Sequence, residues 1–382
     1  MHIGVSIAGF VLIFIILLDA FETVVLPRRD QRHWRFTALF YRVTWVRWTQ
    51  ISQHVRKASR REGFLAYYGP LSQIQLLGYW AFGLIFGFAC VQYGLGEHLQ
   101  ITANEPVTFG KLLYHSGETF FTLGYGDIVP SNAMARALSV FEAGMGFAFL
   151  GVVVGYLPVL YNSFAARETE ISLLDARAGS PPTAAEFLNR LGCCPDQSVI
   201  DGIFRDWERW CADLLSSHIS YPALLFFRSQ HSNQSWLSAL TVMLDVTSLV
   251  VTGVDGIHPE QAKLTFAMAR HAAVDLAQVV NARYDPHAPD RIFPDGLVRL
   301  RKELLVHGVR FDDGDDVWER LAELRMLYEP YVQAMSVRLL FTLSPWMATD
   351  RRKDDWQASP WDQAIQARAL ERPTRHAVED HF

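Results

Sequence analysis

Six residues, Thr122-Leu123-Gly124-Tyr125-Gly126-Asp127, lie between two apolar stretches, residues 71–95 and 137–161, each long enough to cross a bilayer as a helix. That placement constrains the chain more than any other feature. Backbone crossing lipid must satisfy its own hydrogen bonds, so the two stretches are expected to be helical and the short polar segment to lie within protein or at a water-filled mouth. A third apolar stretch, residues 3–27, precedes them. It does not read as a cleaved leader, because only His2 precedes the run and no small-x-small site follows it.

Charge sets the expected orientation. Residues 1–70 hold ten Lys and Arg against four Asp and Glu, whereas residues 71–164 hold two against five. Arg28, Arg29, Arg32 and Arg35 follow the first span directly, and Arg56, Lys57, Arg60 and Arg61 precede the second. Basic loops stay on the cytoplasmic side, so the N-terminus is expected outside, the six-residue segment on the outer side and everything after the third span in the cytoplasm. Arg29, Arg32 and Arg35 have the spacing of voltage-sensing charges. The residues between them are mostly polar, and a positive-inside anchor is the favoured reading. Between these clusters Phe36, Leu39, Phe40, Val43 and Val46 recur at helical spacing beside Trp34, Trp45 and Trp48, which predicts an amphipathic helix on the inner leaflet. A basic patch beside apolar runs points to a membrane surface and away from nucleic acid. Asp19 and Glu22, near the inner end of the first span, are expected to pair with Arg28 or Arg29.

Rings of backbone carbonyls can replace the water around a potassium ion if successive carbonyls face one axis. That requires alternating backbone handedness, which Gly124 and Gly126 permit and a side chain would oppose. Leu123 and Tyr125 would then point away from the axis, and Thr122 would add a hydroxyl at the inner mouth. The segment resembles the selectivity filter of two-span, single-pore-loop prokaryotic potassium channels, whose usual form has Val where Leu123 stands. The resemblance covers residues 71–164. It implies an all-α membrane protein in which each chain supplies an outer helix, a pore helix at about residues 109–121, the filter and an inner helix. Four chains surround the ion, so it also implies a homotetramer. Potassium would be held at Thr122, Leu123, Gly124 and Tyr125, with Gly126 completing the filter.

The resemblance also assigns supporting residues. Glu118 stands where some members carry a Glu behind the filter, paired with the acid that matches Asp127. Tyr114 and His115 replace a pair of aromatic residues, often Trp, and would donate toward Asp127 and Tyr125. Phe121 replaces the usual Thr before the filter. Gly146 falls at the family's glycine hinge, Gly151 follows as a small contact residue, and Pro158 adds a bend site because it removes a helix hydrogen bond. Glu142, an ionisable group within the span, is expected to face the pore helix or a neighbouring subunit.

The remainder reads as an all-α domain. Helical periods recur over residues 182–191, 196–217, 233–251, 259–283, 295–306 and 315–343, with a charged tail from Asp350. Residues 236–254 are apolar enough to resemble a fourth span, but their Ser and Thr content favours a buried core helix. The run Asp312 to Asp316 lacks the ligand spacing of a calcium loop and is expected to cap the following helix. Cys90, Cys193, Cys194 and Cys211 have no zinc or disulfide spacing, and no strand-linked Gly-x-Gly-x-x-Gly or nucleophile constellation appears. The expected organisation is therefore an N-terminal transmembrane helix (residues 1–27), a basic interfacial segment (28–70), the pore domain (71–164), a cytoplasmic helical domain (165–349) and the tail (350–382).

The expected function is passive potassium conduction across the cell's inner membrane, without enzymatic activity or a cofactor, with an unassigned cytoplasmic ligand or protein partner acting on the helical domain. Two alternatives stand beside it. One is a weakly selective monovalent cation channel, motivated by Phe121 and Leu123. The other is a non-conducting membrane sensor or scaffold that keeps the pore-like fold.

Overall fold

The computed structural model describes residues 2–26, 36–96, 99–101, 106–192, 196–231, 233–348 and 361. They divide into two compact units. The first comprises Met1–Arg167 with Ala212–Ser232 and Gln278–Asn281; the second comprises Glu168–Cys211, Asn233–Ala277 and Ala282–Phe382.

In the first unit, α1 (Ile3–Val24) lies along α4 (Tyr68–Leu95), and between them in sequence come α2 (Phe36–Ser52) and α3 (Ala58–Ala66). Small residues let the α1 and α4 backbones touch. A Cβ placed on Gly9 would stand 2.6 Å from the Gly87 carbonyl oxygen. A Cβ on Gly94 would meet the Ser6 hydroxyl at 2.1 Å. Contacts of this kind drive helix association where lipid is as apolar as the side chains. Ser6 Oγ donates to the Val91 carbonyl at 3.2 Å, closing the same seam.

Asp19 is buried on α1. Trp80 Nε1 donates to its Oδ2 at 2.9 Å, and the Thr37 amide and hydroxyl donate at 3.1 and 2.6 Å. Three donors from the described residues meet this buried carboxylate, and they fasten α1 to α2 and α4 at one point. Arg28 and Arg29, its expected partners, lie outside the described residues, as do Arg32 and Arg35. On α2, Phe40 and Trp45 are buried in aromatic contacts, Trp45 with Tyr68 at 4.8 Å between ring centres.

After α4 the chain forms β1 (Leu99–Ile101), then α5 (Phe109–Phe120), β2 (Ile128–Pro130) and α6 (Ala133–Ala178). The two strands pair antiparallel, Gln100 opposite Val129, and so tie the segment after α4 to the end of the pore loop. These three-residue strands are too short for alternation to mark in the sequence. Asn132 Oδ1 accepts from the Ala135 amide at 2.8 Å and starts α6. The helix then runs unbroken through Pro158 and well past the expected end at residue 161.

Residues 212–232 belong to this first unit, although they were expected within the helical domain. A short 3₁₀ turn, Pro222–Phe226, brings Leu224 and Phe227 against Tyr156 and Leu160 of α6. Phe226 stacks on Tyr41, ring centres 5.4 Å apart and planes within 4°. Arg167 clamps the turn by donating to the carbonyls of Leu224 and Phe227, each at 3.0 Å.

The second unit is helical: α7 (Ala184–Leu191), α8 (Gln197–Ser220, whose last turns lie in the first unit), α9 (Trp236–Gly253), α10 (Glu260–Val279), α11 (Pro294–Val306), α12 (Val317–Met326) and α13 (Glu329–Leu339). Among the described residues four helical stretches are long and apolar enough to cross a membrane, and α9 is one of them. Yet 89% of α9 is buried within the chain, as a core helix would be. Its one charge, Asp245, is fully buried and receives Arg291 Nη1 at 3.1 Å, Arg291 Nη2 at 2.5 Å and the Tyr328 hydroxyl at 2.6 Å. A bidentate guanidinium and a third donor offset the desolvation of that carboxylate.

Two expectations for this unit need correction. The single helix expected over residues 315–343 is two, because Pro330 starts α13 and breaks the ladder at Leu327 and Tyr328. The acidic run does not cap α12 through a side chain. Asp312 and Asp316 instead pair with Arg320 at 2.9 and 3.1 Å. Among the described residues no cluster of His, Cys, Asp or Glu is arranged for a metal. Cys90 and Cys211 are free thiols, whereas Cys193 and Cys194 lie outside the described residues.

Candidate pore loop

The loop grows directly from the end of α5. The amides of Phe121, Thr122 and Leu123 bond back to the carbonyls of Gly117, Thr119 and Glu118 at 3.0, 3.1 and 2.9 Å, a tightening that ends the helix. From there the backbone alternates. Thr122, Gly124 and Gly126 have φ of 54°, 67° and 76°, while Leu123 and Tyr125 between them stay at negative φ. Two of the three left-handed positions are the glycines that the spacing singled out. The third is Thr122, a non-glycine residue for which this conformation costs energy and which the sequence did not mark.

In the single chain, Thr122 to Asp127 are all exposed, Leu123 at 53% and Tyr125 at 67%. The packing expected behind the loop for Leu123 and Tyr125 is therefore not supplied by their own chain. Phe121 is exposed as well, and so are Val140, Phe147, Leu150 and Val154 along α6. On a helix of membrane-spanning length, apolar side chains exposed in this way meet either lipid or another protein chain.

The expected supporting residues divide. Glu118 Oε1 accepts from the Gly126 amide at 3.2 Å, so this acid reaches the loop backbone. Its second oxygen, Oε2, is buried with no hydrogen-bond partner. The Tyr114 hydroxyl donates to Asp127 Oδ1 at 3.4 Å, as expected. His115 turns the other way: its Nε2 lies 3.4 Å from Ser139 Oγ on α6, not at Tyr125.

On α6, Gly146 lies against α5. A Cβ there would come within 1.8 Å of the Phe120 carbonyl oxygen, so this glycine is required for close approach of the two helices. Gly151 has nothing within 4 Å of its Cβ position in this chain, and Pro158 sits within continuous helix. Glu142, one turn before Gly146, is fully buried. It meets Ser116 of α5 and accepts from Gln92 Nε2 of α4 at 3.1 Å. Gln92 and Ser116 escaped the sequence reading because each is an ordinary polar residue until the fold brings both to one acid.

An outer helix, a short helix, a loop of alternating handedness and a long inner helix follow one another in the order expected of an ion-channel pore. Residues 75–161 match the family model described as "Ion channel", which covers this arrangement from within α4 to the apolar part of α6. What this segment is similar to is thus an ion-channel family. An uncharacterized membrane protein of Bacillus subtilis (strain 168), YdjJ, is 23% identical over 252 residues, spanning 63% of this chain and 72% of its own length. No solved structure matches the chain significantly.

Proposed function

We propose that the protein is a potassium-selective channel subunit that works as a homotetramer. Potassium would pass down its gradient through carbonyls of Thr122, Leu123, Gly124, Tyr125 and Gly126 gathered from four chains. The observation that carries this reading is the φ alternation at Thr122, Gly124 and Gly126, the alternating handedness that a row of carbonyls facing one axis requires. The exposed loop and α6 face are consistent with four copies meeting there. Glu118 and Tyr114 would support the loop through Gly126 and Asp127. The basic segments support a topology with residues 28–70 and the helical unit in the cytoplasm and the N-terminus outside, in the cell's inner membrane. The helical unit would receive the stimulus, a ligand or protein partner, and α6 would transmit it, with Gly146, Gly151 and Pro158 as the positions where the helix can change course.

A second reading, weak selectivity among monovalent cations, is favoured by Leu123 and Phe121 at positions next to the carbonyls. Reversal potentials of the purified protein in liposomes under opposed potassium and sodium gradients separate the two. A reversal near the potassium equilibrium value with block by barium supports the proposal. Real current reversing near zero supports the second reading. Gly124→Asp should abolish flux while leaving the oligomer intact; persistence of flux would exclude conduction through this loop.

A further inference from the structure

Glu142 is a buried acid inside an apolar helix, and among the described residues it makes no ion pair. Two polar side chains surround it. Gln92 Nε2 donates to Oε2 at 3.1 Å, and Ser116 Oγ contacts Oε1. The same Ser116 Oγ stands 2.7 Å from the carbonyl oxygen of Ile85 on α4. Other titratable groups of α5, α6 and the loop are engaged elsewhere: Lys111 at the Pro106 carbonyl, His115 at Ser139, Glu118 at the Gly126 amide, Asp127 with Tyr114, and Arg136 at the Pro130 carbonyl. Cys90 on α4 is a free thiol.

Counting hydrogens favours one protonation state. Three close polar contacts are each fully made only if three hydrogens are present. The Gln92 amide supplies one, the Ser116 hydroxyl supplies one, and the Ile85 carbonyl supplies none. With an ionised Glu142, either Ser116 and Ile85 or Ser116 and Glu142 would face each other as bare oxygens. That arrangement is repulsive, and an unpaired buried charge is costly besides. The third hydrogen has one source left, the carboxyl itself.

We propose that Glu142 is held as a neutral carboxylic acid that donates to Ser116 Oγ, which donates in turn to the Ile85 carbonyl, while the other carboxyl oxygen accepts from Gln92. This relay joins α6, α5 and α4 at one point, two residues from Glu118, whose carboxylate holds the Gly126 amide. Glu142 is thus a positioning residue: it fixes the pore helix that aims the loop and gives any shift of α6 a direct grip on α5. The functional part of this inference rests on the channel reading above, while the protonation part does not.

The test uses the full-length protein in liposomes. Infrared difference spectra of wild type against Glu142→Gln should lose a protonated-carboxyl C=O stretch. In Ser116→Ala that band should move to higher frequency, as an acid robbed of its acceptor does. Glutamine keeps one donor and one acceptor in the same places, so Glu142→Gln should conduct within about twofold of wild type. Glu142→Leu should lose about tenfold, the scale of stranding buried polar partners. Loss of an ionised-carboxylate band in Glu142→Gln, or equal loss of flux in the Gln and Leu variants, would overturn the proposal. Should wild type itself carry no current, the channel reading fails, and the infrared arm still decides the protonation. Should Glu142→Leu fail to assemble while Glu142→Gln assembles and conducts, the positioning role stands.

Discussion

Gly146 of the inner helix presses on the last carbonyl of the pore helix: a Cβ added to it would come within 1.8 Å of Phe120 O. This contact lies beside the Glu142–Ser116 junction and just before the loop, so α6 and α5 are locked along two adjacent turns. Nothing gives way easily there, because the opposing atom is backbone.

Gly146→Ala should therefore destabilise the assembled protein by about 1–3 kcal/mol through overpacking, despite the better helix propensity of alanine. Thermal unfolding of the purified oligomer measures it. Gly151→Ala, with open space at its Cβ position in the chain, is the control and should be neutral or slightly stabilising unless a neighbouring copy fills that space. Equal behaviour of the two variants would mean that Gly146 is not a close-contact position.

The seam between α1 and α4 makes a similar demand. Gly87→Leu would drive a side chain into Ile13 Cγ1, already 2.7 Å from the Cβ position, and toward the Gly9 carbonyl. Separation of α1 should follow, seen as new protease cleavage after the first helix and a lowered melting temperature. Trp80→Phe probes the same junction more gently. It removes the indole donor from buried Asp19 and should cost about 1–3 kcal/mol.

Much of this was legible in the chain. Apolar stretches of spanning length forecast α1, α4 and α6, and the glycine spacing forecast the alternation at Gly124 and Gly126. What escaped has a common cause: it depends on partners distant in sequence. Glu142 was conspicuous as an acid in a span, but Gln92 and Ser116 are fifty and twenty-six residues away. Asp19 also takes a hydrogen bond from Trp80, sixty-one residues on, which no local pattern marks. The return of residues 212–232 to the first unit has no periodicity of its own, because a short 3₁₀ turn of apolar residues looks like any loop. Pro330 was visible, yet the flanking helical pattern masked its effect as a breaker.

In the helical unit, Asp245 and Arg291 form a buried bidentate pair, and breaking it from one side should be severe. Arg291→Met strands a fully buried carboxylate and should cost about 3–5 kcal/mol in denaturant unfolding followed by circular dichroism. The double variant Asp245→Leu with Arg291→Met removes both charges and should recover much of that loss. Failure to recover would show that Tyr328 and Ser344, which also bond to the pair, need its charges.

The clamp around Arg167 titrates. Arg167 Nη1 lies 3.1 Å from His218 Nε2, and a guanidinium can only donate. The Nε2 atom must therefore accept, which leaves the proton on Nδ1 and the ring neutral. Burial pushes the His218 pKa well below the ordinary histidine value, and the Arg167 charge pushes it further. In the unfolded chain the ring takes a proton near the usual pH of about 6.5, whereas in the folded protein it does so only at much lower pH. The unfolded state thus binds more protons between those two values, and stability rises with pH across that window. The contribution is complete above the unfolded value and is lost as pH falls from there toward the folded value. Protonation would also set two cations side by side and release the carbonyls of Leu224 and Phe227 from Arg167. Melting temperatures measured from pH 7.5 down to about pH 5 should fall more steeply for wild type than for His218→Gln, whose amide oxygen accepts the same hydrogen bond without titrating. Parallel curves for the two proteins would show that His218 does not carry the pH dependence of this clamp.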